Sequence, residues 1–418
     1  MTASEQLAQF AAGSKALPKL CREYKKERAT VHLKELVGGA LSFYAAAAVA
    51  KTGGVHIFVA EDRDAAAYLL NDFYNLLDEK QVYFFPSSYK RSAAYGAEDA
   101  QGVVQRTAAM NAVRGFTKGY LVVCTYPEAL AERVVDAATL QRDTIAVKLG
   151  DKISIAVLED ALADANFTRV DFVYEPGQYS VRGGIVDVFS YSESKPYRID
   201  FFGDEVDSIR RFNISSQLSA DKLDRVEIIP NLNAGEAPRV SFVQFAGSSA
   251  ACWFYDADYV LRRVNDLRRK VLADMENPGQ IDRLLTSRNV LLRDMAGNSV
   301  VALRDNLPER PATAAVVFDT APQPKFNKNF EMLADDMIRN SLRGYATYIL
   351  SENKVQVERL ENIFHQIGRG QAAVRSLSVT LHEGFVDNDL KLCLYTDHQI
   401  FDRYQRYRIN GEIRRDEQ

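Results

Sequence analysis

Glu35 to Ser42 read E-L-V-G-G-A-L-S, the length of a phosphate-binding loop that opens a helix. A working loop of this kind, G-x-x-x-x-G-K-[ST], lets backbone N–H groups converge on the phosphates and brings a lysine to neutralise them. On that frame Glu35 takes the first glycine position, Ala40 the second, Leu41 the lysine and Ser42 the hydroxyl, with Gly38 and Gly39 between. A carboxylate about 4 Å from a phosphate repels it by at least ~1 kcal/mol even in water, and loss of the lysine removes further attraction. The spacing therefore predicts a degenerate helix-start loop that binds no nucleotide, and it implies no cofactor.

A second remnant lies at "AACWFYDADY", an apolar strand that ends in Asp256 and Asp258. RecA-like nucleotide hydrolases place an acidic box there to hold magnesium and a water. Ala257 stands where such a box wants glutamate, and one acid without its partner cannot order both a metal and a general base. Asp256 is expected to cap the next helix instead. Neither remnant supplies a catalytic residue. The five histidines and four cysteines fall in no metal-ligand spacing, so no metal is expected.

The remaining chemistry is in "YEPGQYSVRGGIVDVFSYSESKPYRIDFFGDEVDSIRRF". Arg182, Arg198, Arg210 and Arg211 are interleaved there with Tyr179, Tyr191, Tyr197, Phe201 and Phe202. On a strand Tyr197, Ile199 and Phe201 point one way, and Arg198, Asp200 and Phe202 the other. An exposed aromatic beside an arginine is the composition of a protein-binding anchor. Three other readings stay open: Arg198 paired with Asp187 or Asp200 on a solvated face, Phe202 packed at a sheet edge, and nucleic-acid binding. The neighbouring acids Asp187, Glu193, Asp200, Asp204, Glu205 and Asp207 weaken the last of these.

The elements that must hold these residues follow from pattern. The chain has 418 residues, enough for two to four domains, with 47% hydrophobic and 26% charged residues and a formal charge of -4. That charge gives no global drive toward nucleic acid or anionic membrane. Cys21, Cys124, Cys252 and Cys393 lie far apart and read as free thiols of a reducing cytosol. No signal peptide and no run of eighteen apolar residues occurs, so a cytoplasmic chain without a membrane partner is expected.

From about Leu20 to Asp143 short apolar strands (Val55 to Ala60, the run up to Pro86, Tyr120 to Cys124) alternate with helices, which argues a parallel sheet. From there to "RVEIIPN", short alternating runs and glycine turns describe a mostly antiparallel module, with hairpin turns at Gly183-Gly184 and Gly203-Asp204. Strand and helix then resume, including a long charged helix from Tyr259 to Met275 that carries Arg262, Arg263, Arg268, Arg269 and Lys270. That run reads as a solvated face, with a weak phosphate contact as the alternative. The polar, basic "RYQRYRINGEIRRDEQ" reads as a linker or solvated tail. The expected fold class is α/β: a RecA-like, P-loop-type parallel sheet with a degenerate nucleotide site, interrupted by a small β-rich inserted domain whose two ends must lie close together.

Three stretches carry a family resemblance. One is V-R-G-G-I-x-D-V-F followed by Y-R-I-D-F-F-G-D-E-x-x-S-I-R-R-F. The second, "LSVTLHEGFVDNDLKLCLYTDHQIF", fits L-x-x-G-F and then L-x-L-x-T-D-x-x-I-F, and the third is "FPSSYKRSAAYGAEDAQGVVQRTAAM". They resemble the bacterial transcription-repair coupling factor (Mfd) family, and the first is also similar to the matching segment of the excision-repair helicase UvrB. The resemblance is strongest over residues 174–212 and 376–401 and covers most of the chain. It implies a UvrB-like α/β domain begun by residues 1–145, an inserted UvrA-binding domain at 146–230, a second α/β part at 231–410 completing the UvrB-like module, and a tail at 411–418.

The resemblance further implies that Arg182, Arg198 and Phe202 contact UvrA, and that the module is not an enzyme but recruits UvrA to damage-stalled transcription in nucleotide excision repair. In that family, contacts with RNA polymerase and duplex DNA and ATP-driven translocation belong to regions beyond these residues. The resemblance also implies a C-terminal region that covers the UvrA-binding face until DNA is engaged. The degenerate loop argues against UvrB itself, whose loop would be whole. The alternatives are a divergent P-loop ATPase or helicase half, and a module that binds DNA directly.

Overall fold

A parallel strand covered on both faces needs apolar side chains on both sides, and four such runs precede residue 145 and three follow residue 230. The computed structural model describes residues 1–89 and 98–411. It joins these seven runs into one parallel sheet, in the order Ala314–Val317, Thr30–Lys34, Ser299–Ala302, Ala251–Phe254, Gly54–Val59, Tyr120–Thr125, Val82–Phe84. Two late strands sit between two early ones: Val301 pairs with Val31, and Trp253 with Phe58. The sheet is completed only by residues on both sides of the central segment. The architecture is α/β and RecA-like, with a β-rich insertion.

The insertion is a six-stranded sheet, in the order Ser219–Lys222, Glu205–Phe212, Tyr197–Phe202, Ile185–Val188, Gln178–Arg182, Thr168–Arg169. All neighbours are antiparallel except the last pair. Alternation puts Val186, Val188, Ile199 and Ile209 on one face, where Leu158 and Leu162 of the helix Ile155–Asp164 cover them. Ser154 caps this helix, its Oγ accepting from Val157 N at 3.3 Å. Gly183 and Gly203 take the positive φ that their hairpin turns require, +59° and +61°. Ile145–Lys148 pairs antiparallel with Arg225–Ile228, so the incoming and outgoing chain run side by side.

Sequence alone does not separate residues 320–396 from the strands before them. The structure gives them a sheet of their own, in the order Thr320–Pro322, Phe385–Asp387, Leu392–Thr396, Ala346–Leu350, Ser376–Leu377. Along Leu392–Thr396, Cys393 and Tyr395 face the helices Phe330–Leu342 and Lys354–Gln366, while Leu392 and Leu394 join the core of the parallel sheet. The helix Ala40–Thr52 lies at that junction, with Phe43 against Phe385 (5.2 Å between ring centres) and Tyr44 against Phe318 (4.6 Å). Its alanine run is explained by this position: a helix buried on nearly all sides between two layers has room only for small side chains.

The stretch after Phe401, expected as a linker or solvated tail, lies instead along the helix Arg63–Leu76 as far as Asn410. Ile409 is buried, Tyr407 OH donates to Asp64 Oδ1 (2.9 Å), and Arg408 pairs with Glu79 (2.8 Å). The rest of that tail, residues 412–418, and residues 90–97 within the "FPSSYKRSAAYGAED" segment lie outside the described residues. All four cysteines are free and buried. Among the described residues no helix is long and apolar enough to cross a membrane.

A closed phosphate loop and a candidate docking face

The loop between Thr30–Lys34 and Ala40–Thr52 keeps the path of a phosphate cradle. Glu35 holds φ +59°, where a glycine would be unstrained, and Gly38 holds +56°. The cradle's polar backbone is already engaged by the second sheet: Val37 N donates to Thr320 Oγ1 (3.0 Å), and Thr320 Oγ1 donates to Glu35 O (2.8 Å). Gly38 and Gly39 serve a close approach of chain to chain. A Cβ at Gly38 would stand 3.0 Å from the Gly384 carbonyl oxygen, and one at Gly39 would collide with the Glu383 carbonyl. A peptide segment, residues 381–384, sits over the loop that would hold a phosphate.

Asp72 fastens that segment. Its Oδ1 accepts from His382 N at 2.7 Å, and its Oδ2 lies 2.7 Å from Ser42 Oγ. Ser42 Oγ is also 3.1 Å from Gly39 O, and one hydroxyl proton cannot serve both acceptors. A neutral Asp72 resolves this, giving its proton to Ser42 while Ser42 donates to Gly39. Burial pushes the Asp72 carboxyl up to about 7, in keeping with that assignment. Beside it is a cavity of about 360 Å³, with Phe58, Trp253 and Leu41 among its apolar walls and Glu61, Asp72 and Glu383 as its acids. Among the described residues lining it there is no lysine or arginine, so a polyphosphate would meet carboxylates without a counter-charge.

The acidic pair is equally committed. Asp256 caps the helix Ala257–Asp274, accepting from Tyr259 N (2.9 Å) and from Asn306 Nδ2 (2.7 Å). Asp258 pairs with Arg262 at 2.9 Å. Of the cations on this helix, Arg263 pairs with Glu128, Arg268 with Asp282 and Arg269 with Asp266, which leaves little unneutralised charge for a phosphate contact.

On the insertion, the face opposite the helix carries the charged set. One row runs across the strands as Ser180, Asp187, Arg198, Arg210 and Lys222, and the next as Arg182, Ile185, Asp200 and Ser208. Asp187, with 3% of its side chain exposed, joins both arginines. Its Oδ1 accepts from Arg198 Nε (2.7 Å), and its Oδ2 accepts from Arg198 Nη2 (2.8 Å) and Arg182 Nη2 (2.7 Å). The hydrogen bonds to Asp187 hold the Arg198 guanidinium charged above its ordinary range. Arg198 also lies over the Phe212 ring at 4.1 Å. It is 12% exposed, whereas Arg182 is 39% exposed. Phe202, 82% exposed, follows Asp200 by two residues at the hairpin end of the strand. A bulge at Asp207 in the partner strand absorbs the register shift between Asp200 and Phe201, so alternation along Tyr197–Phe202 is kept. Arg182, Arg198 and Phe202 thus share one face, with Arg198 set deepest.

Comparison with known proteins bears on the segment that carries this face. Residues 145–233 match the UvrB interaction domain. Over 199 residues, 47% of this chain, the sequence is 27% identical to the transcription-repair-coupling factors of Bacillus subtilis (strain 168) and of Escherichia coli (strain K12). Over 101 residues, 24% of this chain, it is 35% identical to that of Haemophilus influenzae. The matched stretches span 17%, 17% and 9% of those proteins' lengths. The resemblance drawn from the V-R-G-G and Y-R-I-D-F-F motifs therefore holds at modest identity, over 47% of the chain rather than most of it, with the family model matching residues 145–233.

Sequence reasoning left Asp72 and Glu383 without a role and Asp187 with only part of its own. Asp187 entered only as one possible partner of Arg198; the D-V-F of V-R-G-G-I-x-D-V-F, set opposite Y-R by a tight hairpin, was the signal for a shared carboxylate. Asp72 and Glu383 carried no local signal, since 310 positions separate Asp72 from the His382 that it binds.

Proposed function

We propose that this chain is a non-catalytic module that imitates UvrB and presents its insertion to UvrA, recruiting it to damage-stalled transcription in nucleotide excision repair. The observation that carries the reading is the Arg182–Asp187–Arg198 cluster with Phe202 on one face of a segment that matches the UvrB interaction domain. Arginines held by a buried carboxylate are pre-oriented, so less side-chain entropy is lost when a partner docks. The plugged, acid-lined loop supports a scaffold rather than a hydrolase.

Calorimetry with purified UvrA tests the proposal. The wild-type chain binds at micromolar concentration without a nucleotide or a second ligand. Arg198→Glu sets a carboxylate against Asp187 and abolishes measurable binding. Retained affinity in that variant moves the interface elsewhere, and absence of binding by the wild type removes the reading.

A further inference from the structure

We propose that Phe172 is a fourth anchor of this docking face, entering an apolar recess on the partner that is rimmed by carboxylates. The inference rests on the docking reading above. After Thr168–Arg169 the chain keeps running beside Gln178–Arg182, with Val170 N donating to Tyr179 O at 2.9 Å. This brings Phe172 level with Arg182 at the sheet's edge. Half of Phe172 is exposed (51%), and the Arg182 guanidinium carbon lies 4.9 Å from its ring centre. Arg182 is 39% exposed and spends one nitrogen on Asp187, so N–H groups remain to offer a partner.

The occupant follows from charge and shape. Arg182, Arg198, Arg210 and Lys222 stand in the two rows of this face against Asp187 and Asp200, an excess of cations. Phe202 flanks the arginine pair on the hairpin side and Phe172 on the edge side, some three strand spacings or roughly 15 Å apart. An apolar ring at either margin with guanidinium groups between them fits a protein surface whose carboxylates lie between two apolar depressions.

The test uses the full chain and UvrA in calorimetry, with thermal melts as a check on folding. Phe172→Ala, a change at a half-exposed position, leaves the melting temperature in place and weakens binding about tenfold. It weakens binding by a similar factor when built into Arg182→Ala, as expected of a ring that itself touches the partner. Loss of the effect in the Arg182→Ala background reduces Phe172 to a support for Arg182 and overturns the proposal. Binding within twofold of wild type in Phe172→Ala, while Arg198→Glu still abolishes it, removes this anchor and leaves the docking reading standing. Absence of binding by the wild type removes both.

Discussion

A carboxylate with 3% of its side chain exposed and two guanidinium groups on it decides how Arg182 and Arg198 can be presented. Asp187 turns two flexible arginines into one fixed unit, and the cost of desolvating it is met only while both partners remain. Asp187→Ala leaves Arg198 largely buried without its counter-charge and destabilises the insertion by about 3–5 kcal/mol, visible in a thermal melt. Asp187→Asn keeps the shape and one acceptor. It costs less stability, yet it weakens UvrA binding, because neither arginine is then held by charge. A variant that melts early but binds as wild type would make Asp187 merely structural. That Arg198, Asp200 and Phe202 share a face was legible because strand alternation sorts them from Tyr197, Ile199 and Phe201. Their unequal depth was not, since it depends on Phe212 and Gln217, which the next strand and its loop bring beneath and beside Arg198.

At the level of elements, the loop from Glu35 to Ser42 receives a peptide segment where a phosphate-binding loop receives its ligand. Its glycines admit a close approach of residues 381–384. The departure from the motif could be read from Glu35 and Leu41. The occupant could not, because it comes from a sheet formed hundreds of positions later. Asp72 makes the contact measurable. Its carboxyl is raised by burial from the ordinary range near 4 to about 7, so the fold favours the neutral acid. The stabilisation is full below the unfolded-state value near 4 and is lost as pH rises from there through 7, with a slope of at most about 1.4 kcal/mol per pH unit. Burial depresses His56 to about 4, so its effect lies below pH 6.5 and does not mask that window. The wild-type melting temperature falls between pH 6.5 and 7.5, below the range where the four buried thiols, also raised by burial, add to the decline. Asp72→Asn, which donates to Ser42 and accepts from His382 N as the neutral acid does, flattens the decline. Parallel pH profiles for the two proteins would show that the junction does not titrate.

For the whole molecule, the order of strands matters more than their number. Late strands interleave with early ones, so the parallel sheet cannot form until the chain on both sides of the insertion is present. The five-stranded sheet then shares the core through Leu392, Leu394 and Phe385. Non-local pairings of this kind leave no trace in a local pattern, which is why residues 231–410 read as one continuous α/β stretch. The insertion is different. Its core of Val147, Leu158, Leu162, Val186, Ile199 and Ile209 is separate, its two ends pair with each other through Ile145 and Ile228, and an ion pair between Arg114 and Glu227 (2.9 Å) marks its border with the sheet. A segment with its own core and adjacent ends meets the requirements for folding alone, although at this size it buries only about 60% of its unfolded surface and its margin is small. Residues 145–233 expressed alone therefore fold in one cooperative transition, with a melting temperature below that of the parent chain. They bind UvrA within a few-fold of the full chain, because Phe172, Arg182, Asp187, Arg198 and Phe202 all lie inside the segment. Circular dichroism and calorimetry read both outcomes, and a folded segment that fails to bind would assign part of the docking face to the parallel sheet.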